Sequence, residues 1–251
     1  MKKILTEVAV YSPDAAVAAQ QAGADRVELC YDLQAGGVTP SSGAIETARK
    51  LLHISLHVII RPRGGNFLYN ETEITQMKAD IMRCKETGVD GVVFGLLNSD
   101  SNIDTMRCSE LAELAKPMVC TFHRAFDMTT DPLQAMENII SCGFSRILTS
   151  GCSPSAIEGA QLLSILVSEA HDRIIIMPGG KVRKENIEEL IKITKAYEYH
   201  TSATLLSRNE VNRMNYIIHP GTGGYYDEFS NYSLDSDELK KFINTVKKIK
   251  Q

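Results

Sequence analysis

The sequence predicts an α/β protein built as a single (β/α)8 TIM barrel, and three observations carry that expectation. Short β-branched runs alternate with amphipathic helical stretches along most of the 251 residues, as βαβ units of a parallel sheet do. Eight such runs recur at a spacing of about 28 residues, which matches the number and length that a closed barrel requires. A near-repeat also joins helix ends to strand starts: Gly23-Ala24-Asp25-Arg26-Val27-Glu28-Leu29, Gly88-Val89-Asp90-Gly91-Val92-Val93-Phe94 and Gly143-Phe144-Ser145-Arg146-Ile147-Leu148-Thr149. Each leading glycine suits the left-handed end of a helix.

In order, the expected strands are Ile4 to Val10, Arg26 to Cys30, Ile54 to Arg61, Gly91 to Gly95, Met118 to Arg124, Arg146 to Ser150, Ile174 to Pro178 and Tyr197 to Ala203. Helix starts are expected at Ser12-Pro13-Asp14, Thr130-Asp131-Pro132 and Ser153-Pro154, where a side-chain oxygen can accept from orphan amides and proline presets the first turn. The eight units fill residues 1–204 of one domain spanning 1–251. Residues 205–234 read as a long loop, polar and without period. Residues 235–250 read as a capped closing helix with Leu239, Phe242, Ile243, Val246 and Ile249 on one face.

A formal net charge of -4 argues against a surface made to coat phosphate backbones, so no nucleic-acid partner is expected. No apolar run approaches the roughly 20 residues of a membrane span, and the N-terminal segment is too soon broken for a signal peptide. The six cysteines are scattered with no C-x-x-C pair, the pattern of reduced thiols in a cytoplasmic protein.

Strands buried on both faces should be nearly continuously apolar, and several here are not. Taking every second residue, strand one offers Glu7, strand two Arg26, Glu28 and Cys30, strand three His57 and Arg61, strand five Thr121 and His123, and strand eight Glu198, His200 and Ser202. Charges inside a barrel must pair or meet a ligand. They either form a structural ion-pair network or line a polar site. Those nearest the C-terminal strand ends, where sites of this fold gather, are Glu28, Cys30, Arg61, His123, His200 and Ser202, with Glu7 a layer lower.

Two loops could hold an anion. Arg61-Pro62-Arg63-Gly64-Gly65 combines two guanidinium forks with a flexible glycine pair. Pro178-Gly179-Gly180 after strand seven and Ser202 after strand eight fall where such barrels frequently bind phosphate. In His123-Arg124-Ala125-Phe126-Asp127, a histidine of near-neutral pKa stands beside a cation and a carboxylate that could set its tautomer, although strand parity sends Arg124 away from His123. Glu28, His123 and His200 are thus the candidate catalytic groups. Glu7, Arg61, Arg63, Arg124, Asp127, Gly179, Gly180 and Ser202 are the candidate ligand-binding ones. Cys30 and Cys152, with His123 or His200, could offer soft ligands of the kind Cu(I) prefers.

Arg26-Val27-Glu28-Leu29-Cys30, Gly36-Gly37-Val38-Thr39-Pro40-Ser41, Ile60-Arg61-Pro62-Arg63-Gly64-Gly65, Thr121-Phe122-His123-Arg124-Ala125-Phe126-Asp127, Leu148-Thr149-Ser150-Gly151 and Met177-Pro178-Gly179-Gly180 closely resemble the copper homeostasis protein CutC family. The match runs in order from about Glu7 to Ala203. The resemblance implies a barrel, cytoplasmic residence, a homodimer or other homo-oligomer, and Cu(I) binding. It places one proposed copper thiolate at Cys30 and the other at Ala9, which cannot ligate. It also sets Lys181 where the family's glycine turn often continues with a third glycine. Two functions follow: a copper homeostasis protein binding Cu(I) through Cys30, or an enzyme acting on a small anionic or phosphorylated metabolite at the barrel mouth.

Overall fold

The same local chemistry closes successive repeat units. Helix α1 (Pro13–Ala22) starts at Ser12, whose hydroxyl accepts from the Ala15 amide, and ends at Gly23 with φ 95°. Its left-handed cap returns an N–H to the Ala19 and Gln20 carbonyls, and strand β2 (Arg26–Leu29) begins three residues later. Helix α3 (Glu71–Thr87) has a reciprocal Asn70–Glu73 capping box and ends at Gly88 with φ 75°.

The structure, a computed structural model, describes residues 3–208 and 230–249. All eight expected strands are present: β1 (Leu5–Val10), β2, β3 (Ser55–Ile59), β4 (Gly91–Phe94), β5 (Val119–Phe122), β6 (Arg146–Thr149), β7 (Ile175–Pro178) and β8 (Glu198–Thr201). They form one parallel sheet in the order β7-β6-β5-β4-β3-β2-β1-β8. The sheet rolls into a TIM barrel that is nearly closed, with β7 and β8 side by side but not laddered. The helices α1, α2 (Ser42–Leu51), α3, α4 (Thr105–Ala115), α5 (Pro132–Ser141), α6 (Ala160–Ala170), α7 (Ile187–Thr194) and α8 (Ser236–Lys248) accompany it.

Strand parity sorts the side chains. Val8, Val27, Leu29, Val58, Ile60 and Phe122 are fully buried in one apolar cluster with the helices, and the intervening polar positions face the lumen. In register, Glu7 stands beside Arg26 and His200, and Glu28 beside His57.

Two expectations are corrected. Ser153-Pro154 opens no helix, because α6 begins at Ala160 and its N-cap Gly159 makes no side-chain bond. The stretch read as a loop over 205–234 carries strands at both ends, β9 (Thr204–Arg208) and β10 (Ser230–Leu234), which pair antiparallel. Residues 209–229 of that expected loop lie outside the described residues. The closing helix is α8, capped by Asp235, with Leu239, Phe242, Ile243 and Val246 buried. Among the described residues, no helix is long and apolar enough to cross a membrane.

Candidate functional site

The floor of the lumen is a chain of alternating charge. Arg146 donates to Glu198 at 2.6 and 3.1 Å and to the Thr121 hydroxyl at 3.1 Å. Glu198 also accepts from Arg26 at 2.5 Å, and Arg26 donates in turn to Glu7. The other Glu7 oxygen accepts from His200 Nδ1 at 2.8 Å. Burial pushes the Glu7 carboxyl up, but Arg26, with His200 and His57, overrides that and holds it well below the usual carboxylate range. Burial likewise disfavours the His200 cation, yet the bond to Glu7 and the charge of Glu28 raise its pKa. His57 has no such direct bond, and burial lowers it to about 4.

Above this floor opens a cavity of about 420 Å³ at the C-terminal strand ends. Glu28, Cys30, Arg61, His123, Arg124, Gly180, His200 and Ser202 line it, so eight of the twelve expected site residues meet there. Glu28 is buried, and its oxygens accept no hydrogen bond among the described residues; its nearest opposite charge is His200 Nε2 at 3.8 Å. Burial, aided by the Glu7 charge and opposed by His200, pushes its pKa up to about 7.

The remaining expected residues are placed differently. Glu7 lies below the cavity, in the ion chain. Arg63 is directed away: it pairs with Glu73 at 2.6 Å and donates to the carbonyls of Gly64, Asn66 and Leu68. Arg61 reaches the cavity wall, but its guanidinium donates to the Ala35, Gly37 and Gly65 carbonyls and pins two loops together. Asp127 binds the Thr149 and Ser150 hydroxyls, the Ser150 and Cys152 amides and Arg124. It is a loop clamp rather than an orienter of His123. Gly179 packs beside β8, where an added Cβ would lie 3.2 Å from His200 Cβ.

Two expectations about the strand-five segment fail. Arg124 does reach the mouth, because β5 ends at Phe122 and residues 124–128 turn as a 3₁₀ helix that breaks strand parity. His123 is not near-neutral in titration: burial, with Arg61 nearby, lowers it to about 3. Its Nδ1 accepts from the Ala125 amide at 3.3 Å, so the ring is neutral with its proton on Nε2, and that buried N–H has no acceptor.

Sequence reading missed Arg146 and Arg183. Arg183 lines the mouth with Lys181, and neither has an ion-pair partner among the described residues. Its signal was the basic run Lys181-Val182-Arg183-Lys184 after the Gly179-Gly180 turn.

Glu7, Glu28 and His200 bring one ligand atom each within 4.8 Å of one another, the geometry a metal ion could use. Both Glu7 oxygens and His200 Nδ1 are already engaged, however, and Arg26 balances the charge. Cu(I) fits less well, since it favours thiolates. Among the described residues Cys30 is the cavity's single thiol, and burial, with Glu28 adjacent, raises its pKa well above the ordinary value and keeps it protonated. Ala9, where the resemblance puts a second thiolate, offers only a methyl to the wall. Cys152 points to the Phe126 carbonyl at 4.0 Å.

The profile of the CutC family matches residues 4–205. The chain belongs to the CutC family. Among CutC relatives, the human copper homeostasis protein cutC homolog is 41% identical over 244 residues, 97% of this chain and 89% of that protein. A family protein CutC from Chromobacterium violaceum is 50% identical over 203 residues, 81% of this chain and 82% of its own. A crystal structure of a CutC copper homeostasis protein from Streptococcus agalactiae superposes with TM-score 0.75 at 38% identity, covering 78% of this chain and 97% of the other. Phosphoribosylanthranilate isomerase from Thermotoga maritima gives TM-score 0.58 at 14% identity, covering 98% of this chain and 100% of that one, a likeness of fold alone.

Proposed function

We propose that this CutC family member is a cytosolic enzyme that binds a small anionic metabolite in the barrel mouth and moves a proton through Glu28. One observation carries the reading. A buried carboxyl without a hydrogen bond, raised to about 7, shares a cavity with two cations, Lys181 and Arg183, that lack ion-pair partners among the described residues. At neutral pH such a group populates both of its forms, which suits it to take a proton and return it. His200, fixed by Glu7, raised in pKa and 3.8 Å from Glu28, stabilises the carboxylate half of that cycle in its protonated form. His123 stays neutral and offers an N–H to a polar atom of the ligand. Six unpaired cysteines, five of them buried, fit a reducing compartment.

Incubation in D2O with a panel of small phosphorylated and carboxylated metabolites, read by proton NMR, tests the proposal. At least one ligand should take up deuterium, and Glu28→Gln should slow that uptake by about 10²- to 10⁴-fold. If no metabolite in the panel exchanges, the proton-transfer reading is overturned.

A second reading, Cu(I) handling, is favoured by the placement of Cys30 on the cavity wall. Anaerobic Cu(I) titration of wild type and Cys30→Ser separates the two. Stoichiometric binding that disappears in the variant supports copper handling, whereas tight binding unchanged by the substitution removes Cys30 from it.

A further inference from the structure

We propose that the mouth recognises a phosphate monoester, with the phosphoryl group seated against Lys181, Arg183 and Ser202 between the ends of β7 and β8. This rests on reading the mouth as an anion site and names the anion.

Of the two turns the sequence offered for that role, the structure excludes one. Arg61 spends its terminal nitrogens on main-chain carbonyls, keeping only a buried Nε–H unpartnered, and Arg63 is bonded to Glu73 and main-chain carbonyls. The turn after β7 is the reverse case. Arg183 makes one close bond, to the Val182 carbonyl at 2.8 Å, and two loose ones at 3.5 Å, to the Thr201 and Ser202 hydroxyls. Two of its five donors are therefore free, and two more are held only loosely. Lys181 is left unneutralised on the same wall.

Charge then discriminates among anions. Lys181, Arg183 and the wall residue Arg61 have no carboxylate partner among the described residues, so the mouth favours a phosphate monoester, with its charge of -1.5 to -2 near neutral pH, over a single carboxylate, which would leave more positive charge uncompensated in a partly desolvated cavity. Arg124 sits at the same edge but is already bonded to Asp127 and Ser150, so it adds to the field without setting the count.

The backbone makes room for a tetrahedral group. β7 and β8 are neighbours without a ladder, and the amides of Gly180, Lys181 and Val182 donate to no protein acceptor among the described residues. Gly180 takes φ 99°, and a Cβ there would crowd Ser150 Cβ at 3.1 Å and Arg124 Cζ at 3.5 Å. Lys181 follows in the left-handed region at φ 54°, a conformation that favours glycine, so its cation is kept there at a conformational cost.

Calorimetric titration with inorganic phosphate, glycerol 3-phosphate and acetate tests the assignment. Both phosphates should bind and acetate should bind at least tenfold more weakly. Arg183→Ala should weaken phosphate on the order of tenfold or more, as loss of charge-assisted bonds does, and Arg183→Lys should restore part of it. Arg63→Ala should leave affinity unchanged. Thermal unfolding of each variant confirms that it is folded. Equal binding of acetate, or phosphate affinity indifferent to Arg183→Ala, overturns the proposal. The two readings fail separately. Arg183-dependent phosphate binding without deuterium exchange keeps the subsite and removes Glu28 chemistry, whereas exchange confined to unphosphorylated carboxylates does the opposite.

Discussion

At the level of Glu7, Arg26, Arg146 and Glu198 every charge meets an opposite charge within hydrogen-bond reach, whereas a layer higher Glu28 meets only the His200 ring at 3.8 Å, and Lys181 and Arg183 meet none among the described residues. The same residue types thus serve opposite ends along one barrel axis. Below, the charged groups saturate each other and fill space. Above, unsaturated groups face a cavity that a ligand can complete. Burial alone does not mark a site; incomplete pairing inside a cavity does.

The sharpest way to break this contrast is to remove a floor charge. Arg26→Ala leaves Glu7 with His200 alone and Glu198 with Arg146 alone, and should cost about 3 to 5 kcal/mol in urea unfolding. A loss below about 1 kcal/mol would show that the floor is not the structural layer.

Next in size is the pH dependence of Glu28. Its folded pKa, about 7, lies above the ordinary value of 4.5, so between these values the folded state holds more of the proton than the unfolded one. Its contribution to stability therefore falls as pH rises through that window and is fully lost above it. Glu28→Gln should gain on wild type across the window, by roughly 3 to 4 kcal/mol at about 1.4 kcal/mol per pKa unit. A constant difference from pH 4 to 8 would place Glu28 with the saturated floor.

The histidines divide in the same way, and NMR can read them singly. His123 and His57, lowered to about 3 and about 4, should not titrate between pH 5 and 8, while His200 should titrate above the ordinary 6.5. Glu7→Gln should lower the His200 midpoint; an unmoved midpoint would detach His200 from the floor.

The smallest effect is expected at Lys181→Gly, which relieves a left-handed residue. It should stabilise the fold by about 0.5 to 1 kcal/mol while weakening phosphate binding. A gain in both would mean that the lysine serves no ligand.

Much of this layering was legible in the sequence, because a strand's period of two is local. It assigned Glu7, Arg26, Glu28, His57, His123 and His200 to the lumen without knowledge of the fold's closure. Loops have no period, and there the reading failed. Nothing near Arg61 and Arg63 in sequence announces that one would clamp Ala35, 26 residues away, and the other would turn back on Glu73. Arg183 was hidden for the same reason: its lack of a partner is a property of the space around it. Arg146 stood at the edge of an apolar run and looked like a boundary. The β9–β10 ribbon was missed because its partners are separated by more than 20 residues of polar chain.

Arg146, Glu198, Arg26, Glu7 and His200 make one uninterrupted column of alternating sign that ends at Glu28. The acidity of Glu28, raised first by its own burial, is adjusted from beneath by Glu7 and His200 at the top of that column. In the proposed reading, anion choice rests with Lys181 and Arg183 and proton affinity with the burial of Glu28 and the column beneath it, so either can drift in evolution or be retuned by design while the other stays as it is.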